Sequence, residues 1–119
     1  MNYLEMSDFE INKAVADSTG YDGRTKRHRL SERAVFISDG VGGFIRDYCN
    51  SWADAGPIIQ GNEISMISRR ANGEWKAEIF LGRKDIFDNY ATFFDKNPLR
   101  AAMIIFLMMK DEEAKNESH

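Results

Sequence analysis

The feature that most constrains this chain is an apolar stretch near its C-terminal end, which begins directly after the pair Asn97-Pro98. Asn is a preferred N-cap residue, and Pro is tolerated at the first helical position because its missing N–H would be unpaired there. Residues Leu99–Met109 are apolar almost all round a helix, so this helix must be buried on more than one side. Its longest uninterrupted apolar run, Ala101–Met109, is far shorter than the about 20 residues that cross a bilayer. The helix is therefore either the central core element of one chain or half of a subunit interface.

A second helix is predicted near the other end, over about Asp8–Thr19. Ser7 and Glu10 have capping-box spacing, in which the hydroxyl accepts from one backbone N–H and the carboxylate from the other. Apolar residues then recur at the spacing of one helical face. Gly20 follows and can end the helix, because glycine enters the left-handed region without steric cost.

The clearest β signal is a hairpin in the second half of the chain. Apolar and polar residues alternate over about Glu63–Arg69 and again over Trp75–Leu81. Between them stands Asn72-Gly73, the strongest short-range signal for a tight hairpin turn.

A second strand pair is predicted before that hairpin. The segment Arg33–Ser38 holds a short β-prone run, and Asp39-Gly40 after it is typical of a tight turn. Phe44 and Ile45 indicate a short returning strand.

Three stretches have no clear periodicity. Tyr21–Leu30 is polar and basic and is interpreted as a loop that is mobile at its centre. Tyr48–Gly61 is interpreted as an irregular segment pinned to the core by Trp52 and the pair Ile58-Ile59. The aromatic spacing within Gly82–Lys96 suggests a partly buried turn of helix.

Together these elements predict an α+β fold, in which an antiparallel sheet of about three to four short strands packs against an N-terminal and a C-terminal helix. We expect one domain over residues 1–110 and a solvated, disordered tail over residues 111–119, where acidic residues stand near a negative helix end. Six aromatic side chains are predicted to anchor the core rather than to form a ligand cage: Trp52, Trp75, Phe87, Tyr90, Phe93 and Phe94.

Composition narrows the functional classes. The net charge of the 119 residues is −3, which argues against indiscriminate nucleic-acid binding, because such binding relies on a surplus of Lys and Arg. The single cysteine, Cys49, cannot form an internal disulfide and favours a reducing compartment.

Catalytic chemistry finds little support in the residue pattern. Cys49 with His28 would be a nucleophile and a base, but a structural thiol is the stronger interpretation. The run Asp39–Gly43 lacks the flanking pattern of a phosphate-binding loop and is better read as a β-turn. No metal-ligand spacing occurs, so we expect no metal and no cofactor. Turn and capping roles are favoured over acid–base roles for three carboxylate pairs: Asp39 with Asp47, Asp47 with Asp54, and Asp85 with Asp88.

One stretch offers a direct physical route to a partner. Five cations fall within ten residues and could meet phosphates or an acidic protein surface: Arg24, Lys26, Arg27, Arg29 and Arg33. A solvated loop is the plainer alternative. No aromatic residue interleaves these cations, so base stacking within the loop is unsupported.

Three blocks of the sequence carry a family resemblance: Leu4–Val15, Asp47–Ile59 and Asn97–Met109. In this order they resemble the NinX-like proteins encoded in the accessory gene region of lambdoid phages and prophages. The most specific string is Asn97-Pro-Leu-Arg-Ala-Ala-Met103. The resemblance implies phage origin and expression in the cytoplasm of an enterobacterial host cell. It implies no mechanism and no catalytic residues.

The expectation is thus a small, soluble, non-enzymatic binding protein that acts on a host or phage macromolecule, with a protein as the first choice of partner. The alternative is a nucleic-acid-binding accessory protein that uses the basic loop 24–33. A hydrolase using Cys49 or an aspartate pair ranks third. We expect no membrane partner, and a homodimer is an open alternative.

Overall fold

The computed structural model describes residues 2–84 and 86–117. Both terminal helices begin at the capping residues that the sequence predicts. Helix α1 spans Asp8–Ala16 and begins with the predicted capping box: Glu10 N–H donates to the Ser7 hydroxyl, and Ser7 N–H donates to the Glu10 carboxylate, both at 3.1 Å. A π-helical turn, Asp17–Tyr21, continues the chain through Gly20, whose φ of 103° marks the predicted stop.

Helix α3, Pro98–Glu117, forms the centre of the core. Asn97 caps it, because its side-chain oxygen accepts from Leu99 N–H at 2.9 Å and from Arg100 N–H at 3.3 Å. Every residue from Ala101 to Leu107 is buried within a single chain. Of the two alternatives for this helix, the structure shows the central core element.

The described part of the predicted tail continues this helix. Residues 111–117 are helical rather than irregular, and the hydroxyl of Tyr3 donates to the carboxylate of Asp111. The remainder of that predicted tail, residues 118 and 119, lies outside the described residues.

Six strands form two antiparallel three-stranded sheets, so the α+β class is confirmed. In chain order the strands are β1 Thr25–Arg27, β2 Val35–Ser38, β3 Gly43–Arg46, β4 Ser65–Arg69, β5 Glu74–Lys84 and β6 Phe87–Asp95. The first sheet has the order β1-β2-β3 and the second β4-β5-β6. Helix α1 packs against the first sheet and helix α3 against the second, and the two helices contact each other between them.

Both predicted hairpins are present. Strands β4 and β5 pair from Ser65 with Glu78 to Arg69 with Glu74, around a turn in which Gly73 has a φ of 69°. Strands β2 and β3 are joined by the predicted turn, where the carboxylate of Asp39 accepts from Gly42 N–H at 2.8 Å.

Three sequence interpretations were wrong. The basic loop contains strand β1, the segment read as irregular contains helix α2 (Trp52–Gly61), and the stretch read as a turn of helix is strand β6. Helix α2 forms despite Pro57 because Ser51 caps its start and Ala55 is buried in the core. Strand β6 forms because Ala91 and Phe93 alternate toward the core while pairing with Ile79 and Ala77 of β5.

The prediction of aromatic core anchors was wrong for four of the six side chains. Trp52 is 59% exposed at the start of α2, and Phe87, Tyr90 and Phe94 are also exposed on β6. The exposure of Tyr90 and Phe94 follows from strand alternation, which turns them away from the face that carries Ala91 and Phe93. Within residues 2–84 and 86–117, no helix is long and apolar enough to cross a membrane.

Candidate binding site

The cationic segment lies on the first sheet. Among the described residues, strand β1 is an edge strand that pairs with β2 alone, with Lys26 opposite Phe36 and Arg27 opposite Val35. The Thr25 hydroxyl donates to the carboxylate of Asp17 at 2.7 Å, and Ser38 N–H donates to the carbonyl of Arg24 at 2.9 Å. These bonds hold the first half of the predicted basic loop in a fixed strand.

A groove of about 460 Å³ opens beside this strand. It is lined by Lys26, Arg27, His28, Arg29 and Phe36. The groove therefore combines cationic groups with one half-buried aromatic ring.

Phe36 organises the outer face of the sheet. Its neighbours Val35 and Ile37 are buried, so alternation turns the Phe36 ring to the opposite face. The Lys26 amino group lies 5.3 Å from the centre of this ring, and the His28 ring stacks on it at 6.0 Å with an interplanar angle of 28°. Cation–π attraction and stacking thus position both side chains.

Aromatic rings also position the guanidinium groups of Arg27 and Arg24. Arg27 lies over the ring of the buried Phe9, 4.1 Å from its centre. Arg24 lies 5.2 Å from the centre of the Tyr21 ring. Aromatic faces neutralise little charge, so these cations keep their attraction for anions.

A carboxylate, unlike an aromatic ring, would neutralise the charge of a cation. Within the described residues, no carboxylate forms an ion pair with Arg24, Lys26, Arg27, Arg29 or Arg33, whereas Lys13, Arg46 and Arg100 each have such a partner. Arg27 does influence one acidic group, Glu10, whose pKa is lowered mainly by its hydrogen bonds with Ser7 and, to a smaller extent, by Arg27. The cluster is consequently a group of cations without a direct carboxylate partner among the described residues of an acidic protein.

The structure brings three of the five predicted residues into the groove and leaves two outside it. Lys26, Arg27 and Arg29 line it, whereas Arg24 lies against Tyr21. Arg33 is outside the groove, and its carbonyl accepts from the side-chain amide of Asn12 at 2.8 Å. The sequence reading missed Phe36 and underrated His28. The alternation of Phe36 with buried neighbours was the signal that could have found it.

Cys49 belongs to a structural network. It is fully buried, and its N–H donates to the side-chain oxygen of Asn12 at 3.0 Å. Burial raises the pKa of the thiol, and the charge of Asp8 adds to the increase. A neutral thiol enclosed in the core is a poor nucleophile.

The predicted carboxylate pairs make hydrogen bonds and ion pairs within the fold where they can be described. Asp39 accepts from turn N–H groups, and Asp54 accepts from the N–H of Asp47 at 2.9 Å. Asp88 lies 3.5 Å from Arg83, and its predicted partner Asp85 lies outside the described residues. Among residues 2–84 and 86–117, no three potential metal ligands come together.

A smaller groove of about 280 Å³ lies between the π-helical turn, β3 and α2. Arg46 and Asp54 form an ion pair across it at 3.7 Å, and burial raises the pKa of the adjoining Tyr48. Because its charges are paired with each other, this groove attracts ionic partners less strongly than the cationic groove.

Comparison with known proteins places the chain in a phage context. The family model described as Bacteriophage P22, NinX matches residues 2–110. No curated protein sequence matches the chain.

Proposed function

The chain belongs to the NinX family of bacteriophage P22, and we propose that it is a non-enzymatic binding protein that engages an anionic host or phage macromolecule in the host cytoplasm. The contact surface is the cationic groove of the first sheet. The family match supports the phage origin of the protein, and the groove supports the mode of binding.

The observation that carries the proposal is that cations held in place have no carboxylate partner in the part of the chain that the structure describes. Lys26 and Arg27 are fixed by strand pairing and by the rings of Phe36 and Phe9. Preorganised side chains lose less conformational freedom on binding than side chains on a loop. An anionic partner would gain Coulomb energy there without first breaking an internal ion pair.

A protein partner fits this surface best. Exposed apolar side chains accompany the cations, with Leu30 next in sequence to Arg29 and Ile45 on the same sheet face as Phe36. Aromatic residues and Arg are enriched at the centres of protein interfaces. The net charge of −3 opposes unspecific attraction to nucleic acid.

The test is affinity capture of the tagged protein from infected cells, with and without nuclease treatment. A variant with Arg24, Lys26, Arg27 and Arg29 changed to Gln keeps the aliphatic stems that cover Phe9 and Phe36 but removes four charges. The matched control changes four exposed cations elsewhere to Gln: Arg70, Arg83, Lys96 and Lys115. We expect a nuclease-resistant partner that the control retains and the groove variant loses. Equal capture by both variants would contradict the proposal.

The second candidate is a nucleic-acid accessory protein, and the position of Phe36 favours it. An aromatic ring beside Lys26 and His28 supplies a stacking group that the sequence of the loop itself lacks. Single-strand binding would then weaken steeply with salt, and the Gln variant would reduce the salt slope by about one unit per lost phosphate contact. A binding curve unchanged by the four substitutions would exclude this candidate.

Enzymatic activity is the outcome that would overturn both candidates. Turnover of nucleotides or nucleic acid by the purified protein, abolished by one point substitution, would identify a catalytic residue. The environments of two candidate groups argue against catalysis, because the thiol of Cys49 is buried and the carboxylate of Asp54 accepts a backbone hydrogen bond.

A further inference from the structure

Strand β6 is the unprotected edge of the second sheet. It pairs with β5 on one side, and within the described residues no other segment hydrogen-bonds to its opposite side. At nine residues it is much longer than β1, the three-residue edge of the first sheet. A long free edge presents a row of backbone donors and acceptors that can pair with another strand.

The sequence of β6 lacks the usual protection of such an edge. Its six central residues, Asn89–Phe94, contain no charge, no Pro and no Gly, and they include four β-prone residues. Edge strands are normally shortened or charged, as β1 is by Lys26 and Arg27 and β4 by Arg69. Tyr90 and Phe94 also expose about half and about a third of their surfaces on the outward face.

We propose that β6 pairs antiparallel with β6 of a second copy of this chain, joining the two second sheets into one continuous six-stranded sheet. The proposal is independent of the cationic groove, which lies on the other sheet. A second copy is the partner of this edge because the sequence of β6 is complementary to itself in an antiparallel pair.

The proposed register is the one in which every residue of β6 has a partner. When Ala91 lies on the two-fold axis, all nine residues pair, and the facing residues are Phe87 with Asp95, Asp88 with Phe94, Asn89 with Phe93 and Tyr90 with Thr92. No like charges face each other, and Tyr90 with Thr92 is a favourable aromatic and β-branched pair. A shift by one residue would set outward side chains of one copy against inward side chains of the other, which a continuous sheet does not allow. Both carboxylates are already paired within the chain, Asp88 with Arg83 at 3.5 Å and Asp95 with Arg100 at 3.3 Å.

The first test is the mass of the protein in solution by sedimentation equilibrium. We expect twice the chain mass of 13.6 kDa for the unmodified protein and the single chain mass for Thr92→Lys, because an exposed Lys at the centre of the edge blocks strand pairing. The matched control is Ser65→Lys, since Ser65, Glu78 and Thr92 occupy one row of the same outward face but Ser65 stands on the opposite edge. The control should remain dimeric.

The second test fixes the register by cross-linking. Facing residues in an antiparallel pair have Cα atoms about 4.5–5.5 Å apart, which a disulfide can span. Chains carrying both Tyr90→Cys and Thr92→Cys should form a covalent dimer under mild oxidation, whereas chains with either substitution alone should not. A monomeric unmodified protein, or a dimer without this cross-link, would overturn the proposal. Dissociation by Ser65→Lys as well would instead indicate packing of the two sheet faces.

Discussion

The Nη1 atom of Arg100 lies 2.8 Å from Oδ1 of Asp8, an ion pair that joins the first turn of α3 to the first turn of α1 across 92 positions of sequence. The same guanidinium donates to Asp95 at the end of β6 and to the carbonyls of Tyr3 and Met6. One mostly buried side chain thus connects the N-terminal segment, the central helix and the second sheet.

Replacing Arg100 by Met should destabilise the fold. The change leaves the carboxylates of Asp8 and Asp95 without their cation in a mostly buried setting. We expect a loss of about 3 kcal/mol, the lower end of the range for breaking a buried pair, because the partners remain about a fifth exposed. Urea denaturation measures it. Arg100→Lys should recover only part of the loss, since an ammonium cannot replace a forked donor. Unchanged stability of the Met variant would show that the network contributes nothing.

Shortening a buried side chain of the central helix should lower the free energy of unfolding by at least as much. Ile105 and Phe106 are essentially inaccessible, so changing either to Ala should lower the free energy of unfolding by about 2–5 kcal/mol, through lost burial and a residual cavity. That is a large part of a total of roughly 5–15 kcal/mol. The half-buried Met109 provides the comparison, and Met109→Ala should cost clearly less. If Ile105→Ala and Phe106→Ala melted at the same temperature as Met109→Ala, the placement of this helix at the core would be contradicted.

The buried thiol of Cys49 should make stability depend on pH in the alkaline range. Burial raises its pKa in the folded state above the unfolded value of about 8.5. The neutral thiol's contribution is therefore complete below about pH 8.5 and is lost as pH rises, because unfolding then releases a proton. The slope is at most about 1.4 kcal/mol per pH unit. Urea titrations between about pH 8 and 10 should show it for the unmodified protein and not for Cys49→Ala. Tyr3 and Tyr48, whose pKa values are also raised, add their effects only above about pH 10.

The elements predicted correctly are those with a local physical cause. The capping box at Ser7, the Asn97-Pro98 start and the Asn72-Gly73 turn satisfy or redirect the backbone within a few residues, so the sequence alone identifies them. Helix α2 and strand β6 depend on distant partners. Gly56 and Pro57 argue against a helix locally, and packing of Ala55 in the core overrides them. The spacing of Tyr90, Phe93 and Phe94 fits a helix as well as a strand, and only pairing with β5 decides between them.

The candidate site likewise has one part that the sequence predicts and one part that it does not. The run of cations is visible in the sequence, but its arrangement is not. Whether a cation in such a run is solvated or preorganised depends on which side chains the sheet places beside it. Phe9 and Phe36 come from other elements, α1 and β2, and neither belongs to the basic run. Strand β1 was missed because three residues without apolar alternation give no periodic signal.

Gly43 connects the architecture of the first sheet to its groove, and changing it to Ala should disturb both. A methyl group at this position would overlap the backbone oxygen of Ile37 and the tip of the Phe36 ring, so the β2–β3 pair and the ring must shift. We expect a destabilisation of about 1–3 kcal/mol, as for other overpacked sites, together with weaker binding of the partner captured by the groove. Gly42→Ala is the matched control, because nothing lies within 4 Å of its added methyl group and its backbone lies outside the left-handed region. Thermal unfolding and partner binding should therefore change for Gly43→Ala alone. If Gly43→Ala were destabilised but bound the partner normally, the position of the Phe36 ring would not matter for recognition, and the binding surface would have to be sought among the cations alone.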